Sequence, residues 1–196
     1  NSKTPSYQGF VQRSSKSACA TAPRVLLIGG QDPTGLAGIA ADLATCSALV
    51  TPASVLVTTL TAQGRTSWTN SWPVPPAILQ AQSRALLSDA PAVGAIKIGA
   101  LGGEQQAHAV ASLLADIQAQ QPCPIVLDPV LNSTSGGTLG QVEWLQPLLA
   151  FSPLVCPNSE EYARMRSLQG FAQCPALVTD RAPGACLIRP DHADLD

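Results

Sequence analysis

The chain has 196 residues, 45% of them hydrophobic and only 12% charged, with a formal net charge of −2. That composition supports a buried core and is not that of a disordered chain. The slight negative balance offers no basic surface for nucleic acid and no polybasic membrane anchor, and no apolar run approaches the roughly 20 residues that span a bilayer. Residues 1–23 are rich in Ser, Thr and Gln and carry Lys3, Arg13 and Lys16 without an acid. They read as a disordered N-terminal extension, although the lack of acids also suits an organelle transit peptide. Residues 24–196 read as a single α/β domain.

From Arg24 strands and helices alternate. Arg24 to Ile28 is short and continuously apolar, as expected of a strand buried on both faces. After a glycine-rich turn, Ile39, Leu43, Cys46 and Val50 recur at helical spacing and predict one apolar face. Ser54 to Leu60 is a second strand, ending in Thr61-Ala62-Gln63-Gly64. A polar connection holding Trp68 and Trp72 leads to Pro73-Val74-Pro75-Pro76, which can start a helix but not continue one. Ile78, Leu79, Leu86 and Leu87 then mark a helix ending near Asp89. Gly94 to Gly99 is a strand, and Ala107, Val110, Leu114 and Ile117 mark the next helix. Further strands are expected at Ile125 to Val130, Pro153 to Cys156, Ala176 to Thr179 and Ala185 to Ile188. This alternation predicts an open, mostly parallel sheet with helices on both faces.

In such sheets ligands bind at the carboxyl ends of the strands. Those ends carry Gly29-Gly30-Gln31-Asp32, Gln63, Gly99, Asp128 and Asn158, a convergent polar set. The turn at Gly29 to Gly38 has the strand–turn–helix setting of an anion cradle, but its glycines do not spell the dinucleotide fingerprint. Asp32 before Pro33 also suits a helix N-cap. The amide of Gln63 offers a donor and an acceptor to a heterocycle edge, or to water. Lys97, inside the apolar Ala-Ile-Lys-Ile-Gly, must either reach solvent at the sheet end or pair with an acid. Asp128-Pro129 is placed to bind a cation. Asn158 and Glu161 can hold Mg²⁺ through water, or Asn158 can cap the helix that follows.

Six cysteines show no Cys-x-x-Cys pair, and only His108 and His192 are available to complete a metal site. They read as reduced, mostly buried thiols of a cytoplasmic protein. The two histidines support no Ser-His-Asp or Cys-His arrangement.

An ordered set of motifs goes further. Gly29 to Leu43, Thr59-Leu60-Thr61-Ala62-Gln63, Pro73 to Pro76, Lys97-Ile98-Gly99-Ala100-Leu101-Gly102, Val126 to Val130 and Pro157-Asn158-Ser159-Glu160-Glu161 follow one another without large gaps. Together they resemble the hydroxymethylpyrimidine/phosphomethylpyrimidine kinases of thiamine biosynthesis, members of the ribokinase-like superfamily. The resemblance implies a ribokinase-like α/β fold and phosphoryl transfer from ATP, with Mg²⁺, to an aminopyrimidine. It implies Gln63 against the pyrimidine, with Gly30, Asp42 and Val130 in the same pocket. It also implies Asp128, Asn158 and Glu161 near Mg²⁺ and the phosphates. A homodimer is a possible assembly, with the oligomeric state open.

The chain departs from that family at named places. Thr134 stands where the family has a lysine, and Thr179-Asp180-Arg181-Ala182 where it has Lys-Gly-Gly-His. Met165 to Cys174 is shorter than the family's segment, and the glycine-rich anion-hole segment is expected beyond Asp196, so the C-terminal part of the fold is expected to be incomplete and no catalytic residue is assigned. Three readings follow: a pyrimidine kinase, a non-catalytic pyrimidine-binding derivative, or a related kinase such as one acting on pyridoxal.

Overall fold

A computed structural model describes residues 22–88, 92–133 and 135–179, and the backbone of 186–188. Residues 1–21, most of the predicted extension, lie outside it, as do Thr134, residues 180–182 and His192.

The centre of the fold is β1 (Arg24–Gln31), whose run of Leu26, Leu27 and Ile28 is almost wholly buried. Two apolar faces let this strand sit inside the sheet, and it pairs in parallel with β2 (Ala53–Gln63) on one side and β4 (Val93–Ile98) on the other. The sheet continues through β5 (Ile125–Leu127), β6 (Leu154–Val155) and β7 (Ala176–Val178), all parallel. Its edges are antiparallel: β3 (Trp68–Pro73) beside β2, and β8 (Cys186–Ile188) beside β7. The order is β3-β2-β1-β4-β5-β6-β7-β8, a mostly parallel eight-stranded sheet.

Helix α3 (Glu104–Gln120) buries Ala107, Val110, Leu114 and Ile117 as its spacing predicts. These residues form one core with Leu26 and Ile28 of β1, Leu56 of β2, and Ile96 and Ile98 of β4. Helix α2 (Pro76–Ser88) packs beside α3, with Leu79 buried and Leu86 and Leu87 half-buried, while Ile78 faces solvent. Leu27, which alternates to the other sheet face, and Ile39 of α1 (Gly38–Ala48) are buried apart from that core. Short helices α4 (Gln146–Leu149) and α5 (Ser159–Met165) follow, with Leu148, Leu149 and Met165 in the main core.

Four expectations change. The stripe predicted for α1 is not a core face: the helix ends at Ala48, Leu43 is exposed, and Val50 lies beyond the helix at positive φ with 90% of its surface free. Ile39 is the one residue of α1 that is fully buried, and periodicity alone cannot tell a covered face from an uncovered one. The connection around Trp68 and Trp72 is strand β3, which needs only the backbone ladder on one side and so shows no apolar alternation. Strand β5 stops at Leu127 rather than Val130, because Pro129 has no N–H to continue the ladder. Of the four cysteines whose side chains are described, only Cys174 is buried; Cys46, Cys123 and Cys156 are half-buried free thiols.

Candidate active site

The chain runs from β1 outward to β2 and β3, then returns to place β4 on the opposite side of β1. That reversal leaves a crevice at the carboxyl ends of β1 and β4. A cleft of about 310 Å³ lies there, lined from β1, α1, β2, β4 and the segment after β5.

Its first wall is the glycine turn. An added Cβ at Gly29 would meet the Gly99 backbone at 3.7 Å, an ordinary contact, so the ends of β1 and β4 lie side by side at the cleft mouth without excluding a side chain. Gly38 has φ +58°, and a Cβ there would fall on the Gly30 carbonyl oxygen. Only glycine lets the turn fold back onto β1 at this point. Asp32 holds the turn together. Its Oδ1 accepts from Thr34 N at 2.8 Å, and its Oδ2 accepts from Thr34 Oγ1 at 2.7 Å and Ala37 N at 3.1 Å. Burial alone would raise its pKa, but these bonds and one from Gln63 outweigh it and hold the carboxyl below its ordinary range. The N-cap expectation for Asp32 is thereby corrected. Helix α1 starts at Gly38, after Ala37, whose side chain makes no capping bond, because the glycines let the chain make a longer turn first.

The second wall is Gln63 at the end of β2. Its Oε1 accepts a hydrogen bond from Ser135 Oγ at 3.1 Å, and Ser135 lies 3.0 Å from Ser133 Oγ, which in turn accepts from Gly137 N at 2.9 Å. Gly137 also packs against the Trp68 indole, where any Cβ would collide with the ring. The loop after β5 is thus tied to the β2–β3 hairpin at two points.

The floor carries the charges. Lys97 Nζ lies 3.0 Å from Asp42 Oδ2 and 3.5 Å from Asp128 Oδ2, which answers its sequence position by pairing with acids. Burial pushes the pKa of Asp128 up; Lys97 opposes this and Asp42 adds to it. Burial likewise raises the thiol of Cys156, with Asp128 contributing.

Gly30, Asp42, Gln63, Asp128 and Val130 therefore line one cleft. Asn158 and Glu161 do not line it. They form a capping box on α5, with Asn158 Oδ1 accepting from Glu161 N at 2.8 Å and Glu161 Oε2 from Asn158 N at 3.0 Å. Glu161 Oε1 also accepts from Leu131 N at 3.3 Å, fastening α5 to the segment after β5. Burial raises the Glu161 pKa, its two N–H donors lower it, and Asp128 and Glu160 raise it again. Among the described residues no group of three His, Cys, Asp or Glu is placed to hold a metal, and His108 is exposed on α3. Ser133 and Ser135 at this site carry no sequence signal of their own, since hydroxyls in polar loops are common everywhere.

A family model described as phosphomethylpyrimidine kinase matches residues 32–180. The chain belongs to the phosphomethylpyrimidine kinase family. It is 35% identical over 181 residues to the hydroxymethylpyrimidine/phosphomethylpyrimidine kinase of Streptomyces coelicolor, covering 88% of this chain and 65% of that one. Longer multifunctional thiamine-biosynthesis relatives are matched over only about a fifth of their length, so the chain spans less than two thirds of these curated relatives. Among solved structures, the phosphomethylpyrimidine kinase of Clostridium difficile superposes with a TM-score of 0.72 at 25% identity, over 86% of this chain and 81% of that one. The pyridoxal kinase of Staphylococcus aureus in complex with AMP-PCP and pyridoxal superposes at 0.59 and 28% identity, over 74% of this chain and 51% of that one. The family's ribokinase-like α/β fold is the one described above.

Proposed function

We propose that residues 24–196 form one domain that phosphorylates 4-amino-5-hydroxymethyl-2-methylpyrimidine, or its monophosphate, from ATP and Mg²⁺ in thiamine diphosphate biosynthesis in the cytoplasm. The observation that carries this reading is the convergence of the Gln63 amide, bare glycine backbone and the Asp42–Lys97–Asp128 cluster in one cleft. About 310 Å³ is at the small end of ligand pockets and suits a single substituted ring. In this reading Gln63 meets the ring edge, Gly30, Asp42 and Val130 enclose it, and Asp128 faces the transferring phosphate. Phosphoryl transfer asks for position and charge more than for covalent chemistry, and this cleft offers both.

The carboxylates fit a bound cation. Asp128 helps to raise the pKa of Glu161 across the segment after β5, a repulsion that a cation relieves. Mg²⁺ is commonly held by one or two carboxylates and substrate phosphates, so a three-ligand cage is not required. Asp128 would hold it at the cleft, with Asn158 and Glu161, which lie outside the cleft lining, contributing through water. The metal would neutralise charge on the phosphate oxygens.

The test is pyrimidine-dependent release of ADP from Mg²⁺-ATP by the native chain. Turnover that falls at least about 100-fold in Gln63→Ala and Asp128→Ala supports the reading. Saturable pyrimidine binding without turnover would instead mark a non-catalytic binding protein. The likeness to a pyridoxal-bound kinase supports a second reading, pyridoxal as substrate. Direct competition of the two compounds decides between them, and preference for pyridoxal overturns the first.

A further inference from the structure

Lys97 is the charged residue of a central strand, with hydrogen-bonded neighbours on both sides. A lysine there loses much of its hydration and needs compensation. It receives two carboxylates from separate parts of the chain: Asp42 from α1 and Asp128 from the turn after β5. Without the ammonium, two acids would face one another at the cleft floor, and their mutual repulsion would drive them apart. Gly99 completes the arrangement. A Cβ there would come within 3.2 Å of Lys97 Nζ, so a bare glycine leaves the ammonium its room.

We propose that Lys97 is a positioning residue: it locks the Asp42 carboxylate of the pyrimidine wall to the Asp128 carboxylate of the phosphate wall, so that both walls act as one site. The assignment rests on the proposed pyrimidine-kinase function for what the walls hold, but its geometry does not. The charges facing Lys97 are Asp42 and Asp128, with Cys156 behind Asp128. Lys97 donates a hydrogen bond to Asp42 and forms an ion pair with Asp128, and its work is to hold them rather than to bind substrate.

The native full-length chain, Lys97→Met and Lys97→Arg are titrated calorimetrically with hydroxymethylpyrimidine. Lys97→Met is expected to weaken binding about 10- to 100-fold, the usual scale for a hydrogen bond to a charged group. Lys97→Arg should recover most of that loss, because it restores the charge and two donors. In the Lys97→Met background, Asp42→Asn should then cost little more, since its partner is already gone. Binding by Lys97→Met within twofold of the native chain overturns the proposal, as does a Lys97→Arg variant no better than Lys97→Met. If the native chain binds no pyrimidine, the proposed function fails, and Lys97 is judged by urea unfolding instead. Its role then requires Lys97→Met and Asp42→Asn to be coupled by about tenfold in the unfolding constant, and additive effects overturn it.

Discussion

The hydroxyl of Ser135 donates to Gln63 Oε1 at 3.1 Å, across 72 positions of sequence. This bond sets which end of the Gln63 amide accepts and which donates. With Oε1 occupied by Ser135, the amide lies near Asp32, whose pKa it helps to lower. A pyrimidine entering the cleft meets an amide whose orientation is already chosen.

Loss of the amide should therefore cost more than loss of its orienting hydroxyl. Gln63→Ala is expected to weaken pyrimidine binding about 10- to 100-fold, and Ser135→Ala by only a few-fold, on the scale of one neutral hydrogen bond. Calorimetric titration of both variants checks the order. Equal losses would mean that Ser135 contacts the ligand itself.

Asp128 should trade stability for function. Its pKa is raised by burial, so the folded state binds its proton more tightly than the unfolded chain does. The ionised form therefore weakens the fold above the raised pKa, and that cost disappears as pH falls toward the ordinary carboxylate range. At pH 7 Asp128→Asn should melt at or above the native temperature while ATP turnover falls, and the difference in melting should close in acid. A drop in Tm of more than about 4 °C, worth roughly 1 kcal/mol or more in a chain of this size, contradicts this.

Asp32 should behave in the opposite sense. Its folded pKa lies below the ordinary value, so it stabilises the fold above that value and the contribution is lost as pH falls through the depressed one. Asp32→Asn is expected to cost roughly 1.5–3 kcal/mol at neutral pH, through weakened bonds to Thr34 and Ala37. Urea unfolding of both proteins should converge once pH has fallen through the depressed value, where the native carboxyl is also protonated. A constant difference across the range would show that shape rather than charge carries the effect.

The glycine turn offers a paired comparison. Gly35 and Gly38 both have positive φ, yet a Cβ at Gly35 would meet nothing within 4 Å, whereas one at Gly38 would strike the Gly30 carbonyl. Gly35→Ala should cost about 1–2 kcal/mol from backbone conformation alone. Gly38→Ala should cost more and also disturb the cleft, since Gly38 lines it. Urea unfolding measures both, and equal costs would refute the close approach of the turn to β1.

Much of the fold was readable because burial leaves a periodic trace. The unbroken run of β1 and the spacing of Ala107, Val110, Leu114 and Ile117 marked elements that are now seen in the core. Strand β3 left no such trace, because an edge strand held by backbone bonds places no demand on its side chains. Leu43 and Val50 left a false one, because spacing records which residues share a face and not what covers it.

By itself the sequence determined an alternating α/β chain, the polar residues at its strand ends and, through ordered motifs, its family. Those are properties of local pattern, carried by neighbours within a turn or a strand. Only the tertiary structure decided that Lys97 bridges Asp42 and Asp128, that Ser135 orients Gln63, and that Asn158 and Glu161 cap α5 outside the cleft. Most of these contacts join elements far apart in the chain, and the last depends on where α5 sits against the cleft. The glycine turn shows both levels: its composition announced a close backbone approach, but the partner of Gly38, the Gly30 carbonyl, is in place only once the turn has folded back onto β1.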